Sequence, residues 1–377
     1  MAQIFTRGAV VFTRGAVRRV RDSGGLWLCT VLAFFAGCKV APPPVRRETT
    51  FAVVYGNSSD EVARVSRWVE EFHPRIRELL PQTRNRHPEI WVQKKLAVYR
   101  SQRMPDYLDG FLNGSRDRIQ VRRDVECLEQ TVCHELIHAL LDDSWSALPA
   151  IVEEGLCEVV SMEVVAGCAR LLRAQRLLGA ASYLGEVTAS AHLKYTPSAG
   201  RHFTIQLPVR FTREHVDSLP PLPALRLAGN SLDILSEGIE LNHYHYSFGM
   251  WIVERIVQRG GYDGLHRLCR EAVRDGLEQI PPERLLEAAR LGPPESWQRE
   301  ILQGLDGDDL RRVVAGNHYG VAVQAARWLR RVSRGRGSPG EILDHCRFLF
   351  RFDVAGPEIS LLDLPEFRQL LRDRLGG

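Results

Sequence analysis

The feature that most constrains the fold is the apolar segment 131–141, which contains the pattern His-Glu-x-x-His. A helix advances about 100° per residue, so His134 and His138 lie on one face, one turn apart. Apolar neighbours on both sides predict that this helix is buried in the core. Two imidazoles and Glu135 are costly to bury unless they are paired or hold a metal. The spacing therefore predicts a zinc site, with Glu135 as the base that deprotonates a metal-bound water.

A catalytic zinc ion takes three protein ligands and leaves one position for water. Glu154 is the best candidate for the third ligand, because it lies on the next predicted helix, close enough in sequence for the two helices to converge. Gly155 predicts that these helices approach closely. Glu158, one turn further on, is expected to accept a hydrogen bond from the free nitrogen of a zinc-bound histidine. Glu153 points about 100° away from Glu154 and is the weaker choice of ligand.

Two linked motifs carry a family resemblance: His134-Glu135-x-x-His138, and then Leu148-Pro149-x-x-Val152-x-Glu154-Gly155-Leu156-x-Glu158. Together they resemble the gluzincin metallopeptidases of the peptidase MA-like group. The resemblance implies a zincin-like fold, one zinc ion held by His134, His138 and Glu154, Glu135 as catalytic base, and a peptide or protein substrate. Cys157 stands where alanine is common in this family. We expect a small apolar filler there, with a disulfide partner or an inhibitory thiol as the alternatives.

Peptide hydrolysis at zinc also needs a donor for the tetrahedral oxyanion, a role that tyrosine or histidine usually fills in gluzincins. The cluster 243–246, His-Tyr-His-Tyr, is the candidate source. Tyr244 is the first choice and Tyr246 the second. A tyrosine-rich helix start that packs on the core is the alternative interpretation.

Residues 1–38 predict an export signal, with a basic segment followed by an apolar run that is too short for a transmembrane helix. The run ends in Phe-Ala-Gly-Cys, which resembles the lipobox of bacterial lipoproteins. This resemblance implies lipidation of Cys38 and a chain anchored to a membrane of the bacterial cell envelope. Phe35 departs from the usual leucine, and an ordinary cleaved signal peptide or an uncleaved anchor is the alternative. Residues 39–49 predict a proline-rich linker.

Hydrophobic periodicity predicts an α+β fold. A strand at 50–55, a helix at 61–80 and strands at 90–99 and 118–121 precede the His-Glu-x-x-His helix, with a loop at 105–114. Together with the family resemblance, this pattern implies that residues 50–165 form an N-terminal zincin subdomain, with a small sheet and the active-site helix. Residues 166–275 are predicted to form a mostly helical subdomain that completes the cleft. Residues 276–377 are predicted to be a helical extension and carry no motif.

Composition and charge disfavour two function classes. The net charge is only +4, and no basic patch is interleaved with aromatic residues, which disfavours nucleic acid as a partner. No run of about 18 apolar residues follows residue 40, which disfavours an intramembrane protease. Two functions remain, namely a membrane-tethered zinc peptidase and a non-catalytic gluzincin-fold lipoprotein that acts as a binding or assembly module. The intact Glu135 favours the peptidase.

Overall fold

The structure is a computed structural model that describes residues 41–96, 109–113, 116–125, 127–197, 201–211, 239–307, 319–334 and 336–376. The predicted export signal and Cys38 lie outside these residues. Among the helices described, none combines the length and the apolar character needed to cross a membrane. The chain is a mixed α+β protein, as the sequence predicts.

The N-terminal part alternates strands and helices. Its elements are β1 (Val45–Glu48), β2 (Val53–Gly56), α1 (Ser59–Leu79), β3 (Glu89–Gln93), β4 (Gly110–Leu112), β5 (Arg118–Arg122), α2 (Leu128–Leu140), a 3₁₀ turn (Asp143–Trp145) and α3 (Ala150–Val164). Three details differ from the sequence prediction. Strand β3 ends at Gln93, whereas the sequence predicts a strand over 90–99. Strand β4 lies within the segment predicted as a loop, and β1 lies within the predicted linker. Both strands are short, so their periodicity is weak, and each is defined by its antiparallel pairing with β5 or β2.

The five strands form one mixed sheet in the order β1-β2-β3-β5-β4. Strands β2, β3 and β5 are parallel, and the two edge strands run antiparallel to them. Helices α1 and α2 pack against this sheet and against each other. Of the apolar residues that recur at helical spacing in α1, Val62, Val65, Val69, Phe72 and Ile76 are buried, whereas Leu79 is only partly buried. Each large, fully buried side chain contributes about 1.5–3 kcal/mol to the free energy of unfolding. This burial holds α1 in place against α2.

The C-terminal part holds a second sheet that the sequence analysis did not predict. Its elements are α4 (Ala166–Leu184), β6 (Val187–Tyr195), β7 (Phe203–Phe211), α5 (Ile239–Arg274), α6 (Pro282–Ala289), α7 (Pro294–Gln303), α8 (Tyr319–Ser333), α9 (Pro339–Asp344), β8 (Cys346–Phe352), β9 (Ile359–Ser360), a 3₁₀ turn (Leu361–Asp363) and α10 (Pro365–Gly376). The strands are antiparallel in the order β7-β6-β8-β9. The prediction of a helical extension over residues 276–377 is therefore wrong at β8, where Phe348, Phe350 and Phe352 alternate into the core.

Helix α5 packs closely on α3 through a contact between two glycines. A Cβ atom added to Gly155 of α3 would overlap the backbone carbonyl of Gly249 in α5. One added to Gly249 would overlap the carbonyl oxygen of Ile151. Gly155 thus permits close approach as predicted, but its neighbour is α5 rather than α2. Beyond this contact α5 breaks at Gly261, whose φ of 64° lies in the left-handed region that glycine tolerates.

We predict that Gly249→Ala lowers the free energy of unfolding by about 1–3 kcal/mol, because the new methyl group meets backbone that cannot rotate away. Gly264→Ala, in the part of α5 that follows the break and facing open space, is the control. It should leave stability unchanged or raise it by about 0.5–1 kcal/mol, as alanine favours helix over glycine. Urea unfolding of both variants measures this, and equal midpoints for the two would contradict the close contact.

Candidate metal centre

Three donor atoms converge between α2 and α3. The Nε2 atoms of His134 and His138 lie 3.2 Å apart. Oε2 of Glu154 lies 3.1 Å from the first nitrogen and 3.2 Å from the second. His138 and Glu154 are buried, and only 12% of the His134 side chain is exposed. The three residues predicted as ligands from the sequence therefore form one compact, nearly dry cluster.

The spacing of these donors suits a zinc ion. Zinc binds nitrogen and carboxylate oxygen at about 2.0–2.2 Å, which for tetrahedral angles separates neighbouring ligands by about 3.3–3.5 Å. The observed separations of 3.1–3.2 Å are only slightly shorter. Two imidazoles and one carboxylate are also the donor types of a catalytic zinc site, which keeps one position open.

A second carboxylate fixes the protonation pattern of His138. Oε1 of Glu153 lies 2.8 Å from Nδ1 of His138. An ionised carboxylate can only accept a hydrogen bond, so the imidazole carries its proton on Nδ1. In the neutral ring, Nε2 then presents a lone pair towards Glu154. Two acceptors at 3.2 Å repel each other unless a proton or a metal cation lies between them.

Neighbouring groups shift the pKa values of Glu154 and His138 in opposite directions. Burial disfavours the ionised form of Glu154, but the two imidazoles outweigh this and lower the pKa of that carboxyl well below its usual range. Burial alone would lower the pKa of His138, whereas the neighbouring carboxylates of Glu154 and Glu153 raise it well above its usual value. In the absence of metal, the cluster therefore compensates its negative charge with a proton on His138. A divalent cation would do the same.

Glu135 lies beside this cluster and is buried. Burial raises the pKa of its carboxyl, while the two histidines partly oppose the shift. The backbone of β4 packs directly on it, because a Cβ atom on Gly110 would lie 2.6 Å from Oε1 of Glu135. Edge strand β4 thus limits where the carboxylate can move. The sequence analysis missed this role of Gly110, which falls in the segment predicted as a loop.

Glu158 lies close to His134, as predicted, but not at hydrogen-bond distance. Its Oε1 is 3.9 Å from Nδ1 of His134 and accepts a hydrogen bond from Arg176 at 2.6 Å. Glu153, the weaker choice as a ligand, instead contacts a histidine through the nitrogen that faces away from the cluster. The hydrogen bond predicted for Glu158 is therefore made by Glu153, and to His138.

Cys157 supplies a fourth potential donor. Its thiol lies within 4.8 Å of donor atoms of both His134 and His138, and the side chain is fully buried and not in a disulfide. This excludes the disulfide alternative for Cys157, whereas Cys127 is disulfide-bonded. Burial raises the pKa of the Cys157 thiol to about 12, which favours a neutral apolar filler in the metal-free protein.

Helix α5 contributes Tyr246, the second choice for the oxyanion donor. Its ring centroid lies 6.0 Å from that of His134. The guanidinium of Arg176 lies 5.3 Å from the ring centroid. Burial, with Glu154 and Glu135 nearby, raises the pKa of its hydroxyl well above the usual value, so the group remains a hydrogen-bond donor. Tyr244, the first choice, belongs to α5, but its side chain lies outside the described residues.

Comparisons with protein-family models, with characterised proteins and with solved structures gave no match to this chain. The assignment of a metal centre therefore rests on the geometry and chemistry of the residues themselves.

We predict that Glu154→Gln weakens zinc binding by more than about 100-fold, a larger loss than the 10–100-fold that is typical when a residue behind a ligand is removed. An amide oxygen carries no charge to balance the ion. Glu163→Gln, on the same helix but outside the cluster, keeps an acceptor for the hydroxyl of Tyr262 and should bind zinc normally. Competition with a chromophoric chelator measures both affinities. Equal affinities would remove Glu154 from the ligand set.

Proposed function

We propose that this protein is a zinc-dependent peptidase of the gluzincin type, with a zincin-like arrangement of its N-terminal sheet and active-site helices. The observation that carries the proposal is the convergence of His134, His138 and Glu154 beside the buried Glu135. The donors fit one zinc ion, and the acid next to them has no arginine partner among the ion pairs of the described residues. A purely structural site would not require that acid.

The chemistry divides between the ion and the chain. When bound, zinc supplies a Lewis acid that polarises a peptide carbonyl and makes water a better nucleophile at neutral pH. Glu135 takes the proton of the attacking water and passes it to the leaving amine. Its burial suits both steps, because a carboxyl whose pKa is raised towards the working pH takes up the proton of water more readily and can still give it to the leaving amine.

Other groups would bind and orient the substrate. Tyr246 can donate its hydroxyl proton to the oxyanion that forms during hydrolysis, and Tyr244 remains the alternative donor on the same helix. The lipobox-like end of the signal supports export and membrane attachment through Cys38, and both belong to this proposal. Peptides or proteins of the cell envelope would then be the substrates.

The thiol of Cys157 favours a second candidate function. If it deprotonates and joins the three other donors, the site becomes a closed, four-coordinate zinc site of the structural kind. The chain would then be a non-catalytic binding or assembly module on a gluzincin fold. Zinc K-edge absorption spectroscopy separates the two functions, because a bound thiolate adds a scatterer at about 2.3 Å. The peptidase requires nitrogen and oxygen scatterers only, at about 2.0–2.2 Å.

We predict that Glu135→Gln retains zinc but loses about 10²–10⁴-fold in hydrolysis, because the amide cannot accept the proton of the attacking water. Glu129→Gln, on the same helix and outside the cluster, is the control and should cleave normally. A quenched fluorescent peptide library, read with metal content for each variant, measures the effect. Hydrolysis by Glu135→Gln at the wild-type rate would contradict the assignment of this protein as a peptidase.

Gly110→Ala tests the contact between β4 and the base. The added methyl group would come within 2.6–2.9 Å of side-chain atoms of Glu135 and Thr131, so the carboxylate must shift. We expect a lower kcat with zinc affinity unchanged, since the three atoms nearest to the added methyl group belong to Glu135 and Thr131 and not to a metal ligand. An alanine variant with wild-type kcat would show that Glu135 does not depend on this strand.

A further inference from the structure

His138 is held from two directions by one ion pair. Glu153 accepts a hydrogen bond from its Nδ1, with Oε1 at 2.8 Å. Arg116 binds Oε1 of Glu153 through one guanidinium nitrogen at 3.1 Å, and it donates from the other nitrogen to the backbone carbonyl of His138, also at 3.1 Å. The arginine thus reaches both the main chain of His138 and the carboxylate behind its ring.

The position of Arg116 is costly to maintain. Its φ of 55° lies in the left-handed region, which disfavours side chains other than those of glycine, asparagine and aspartate. Such a conformation costs on the order of 1 kcal/mol and persists only where the surroundings impose it. Here the turn between β4 and β5 is closed by a hydrogen bond from Arg116 N to Asn113 O at 2.8 Å. The turn presents the guanidinium to the C-terminal end of α2.

Glu153 is also hard to explain by stability alone. It neighbours the buried Glu154 in sequence, and like charges so close together repel. Its own side chain is only 22% exposed. A neutral residue at this site would avoid that repulsion, whereas a carboxylate is the group that best fixes a metal-binding imidazole through its outer nitrogen. Arg116 offsets the extra negative charge without competing for the metal.

We propose that Arg116 and Glu153 are positioning residues that hold the ring of His138 in its Nδ1–H tautomer, with Nε2 aimed at the metal. This inference rests on the proposed metal site and deepens it. The same β4–β5 hairpin also carries Gly110 against Glu135. One hairpin therefore orients both a metal ligand, through Arg116, and the base, through Gly110.

The chain offers a matched control on the same hairpin. Arg118 and Glu89 form an ion pair at 3.2 Å that does not touch the cluster. The test is the zinc affinity, measured by chelator competition, of Glu153→Leu and Arg116→Met compared with that of Glu89→Leu and Arg118→Met. The first two should weaken zinc binding by about 10–100-fold, as removal of such outer partners does. The two controls should stay within about twofold of wild type, since their groups lie outside the cluster.

Imidazole ¹⁵N NMR of the zinc-loaded protein gives a readout that general destabilisation does not move. The wild type should show a protected Nδ1–H on His138, and Glu153→Leu, which offers no acceptor, should lose that protection. The double variant should bind zinc about as weakly as Glu153→Leu alone, because Arg116 acts on the imidazole ring through the carboxylate. Wild-type affinity and a protected Nδ1–H in Glu153→Leu would overturn the inference and leave the peptidase intact. A wild-type protein that binds no zinc would overturn both.

Discussion

The structure around the site depends on one electrostatic constraint, the meeting of two imidazole nitrogens and a carboxylate oxygen at 3.1–3.2 Å inside the core. With the neutral His138 donating its Nδ1 proton to Glu153, Nε2 of His138 and the oxygen of Glu154 are two acceptors that repel each other. A proton or a metal cation between them makes the arrangement favourable. The packing serves this constraint, because α1 and the first sheet support α2, while the glycine contact with α5 fixes α3.

Local patterns in the sequence predicted a large part of this arrangement. The i, i+4 spacing places His134 and His138 on one face in any helix, and the periodicity of α1 predicted its buried face. The proximity of Glu154 followed from the short connection between α2 and α3. The zincin-like character of the fold and the chemistry of the site remain predictions.

Contacts between distant parts of the chain were not predictable in the same way. The neighbour of Gly155 is α5, the partner of Glu153 is Arg116, and β6 pairs with β8 from the far end of the chain. None of these contacts produces a periodic pattern in the sequence around it. The alternating phenylalanines of β8 did carry a strand signal, which the expectation of a helical C-terminus overrode. The exchange of roles between Glu153 and Glu158 also depends on contacts that local patterns do not predict. Arg116 binds Glu153, and Arg176 binds Glu158.

The most direct test of the central claim is the zinc anomalous signal in crystals of the zinc-loaded protein, measured on both sides of the absorption edge. We predict one peak, about 2.0–2.2 Å from Nε2 of His134, Nε2 of His138 and an Oε atom of Glu154. That result would establish the ligand set independently of any substrate. An ion bound elsewhere, or one at the histidines without Glu154, would contradict it.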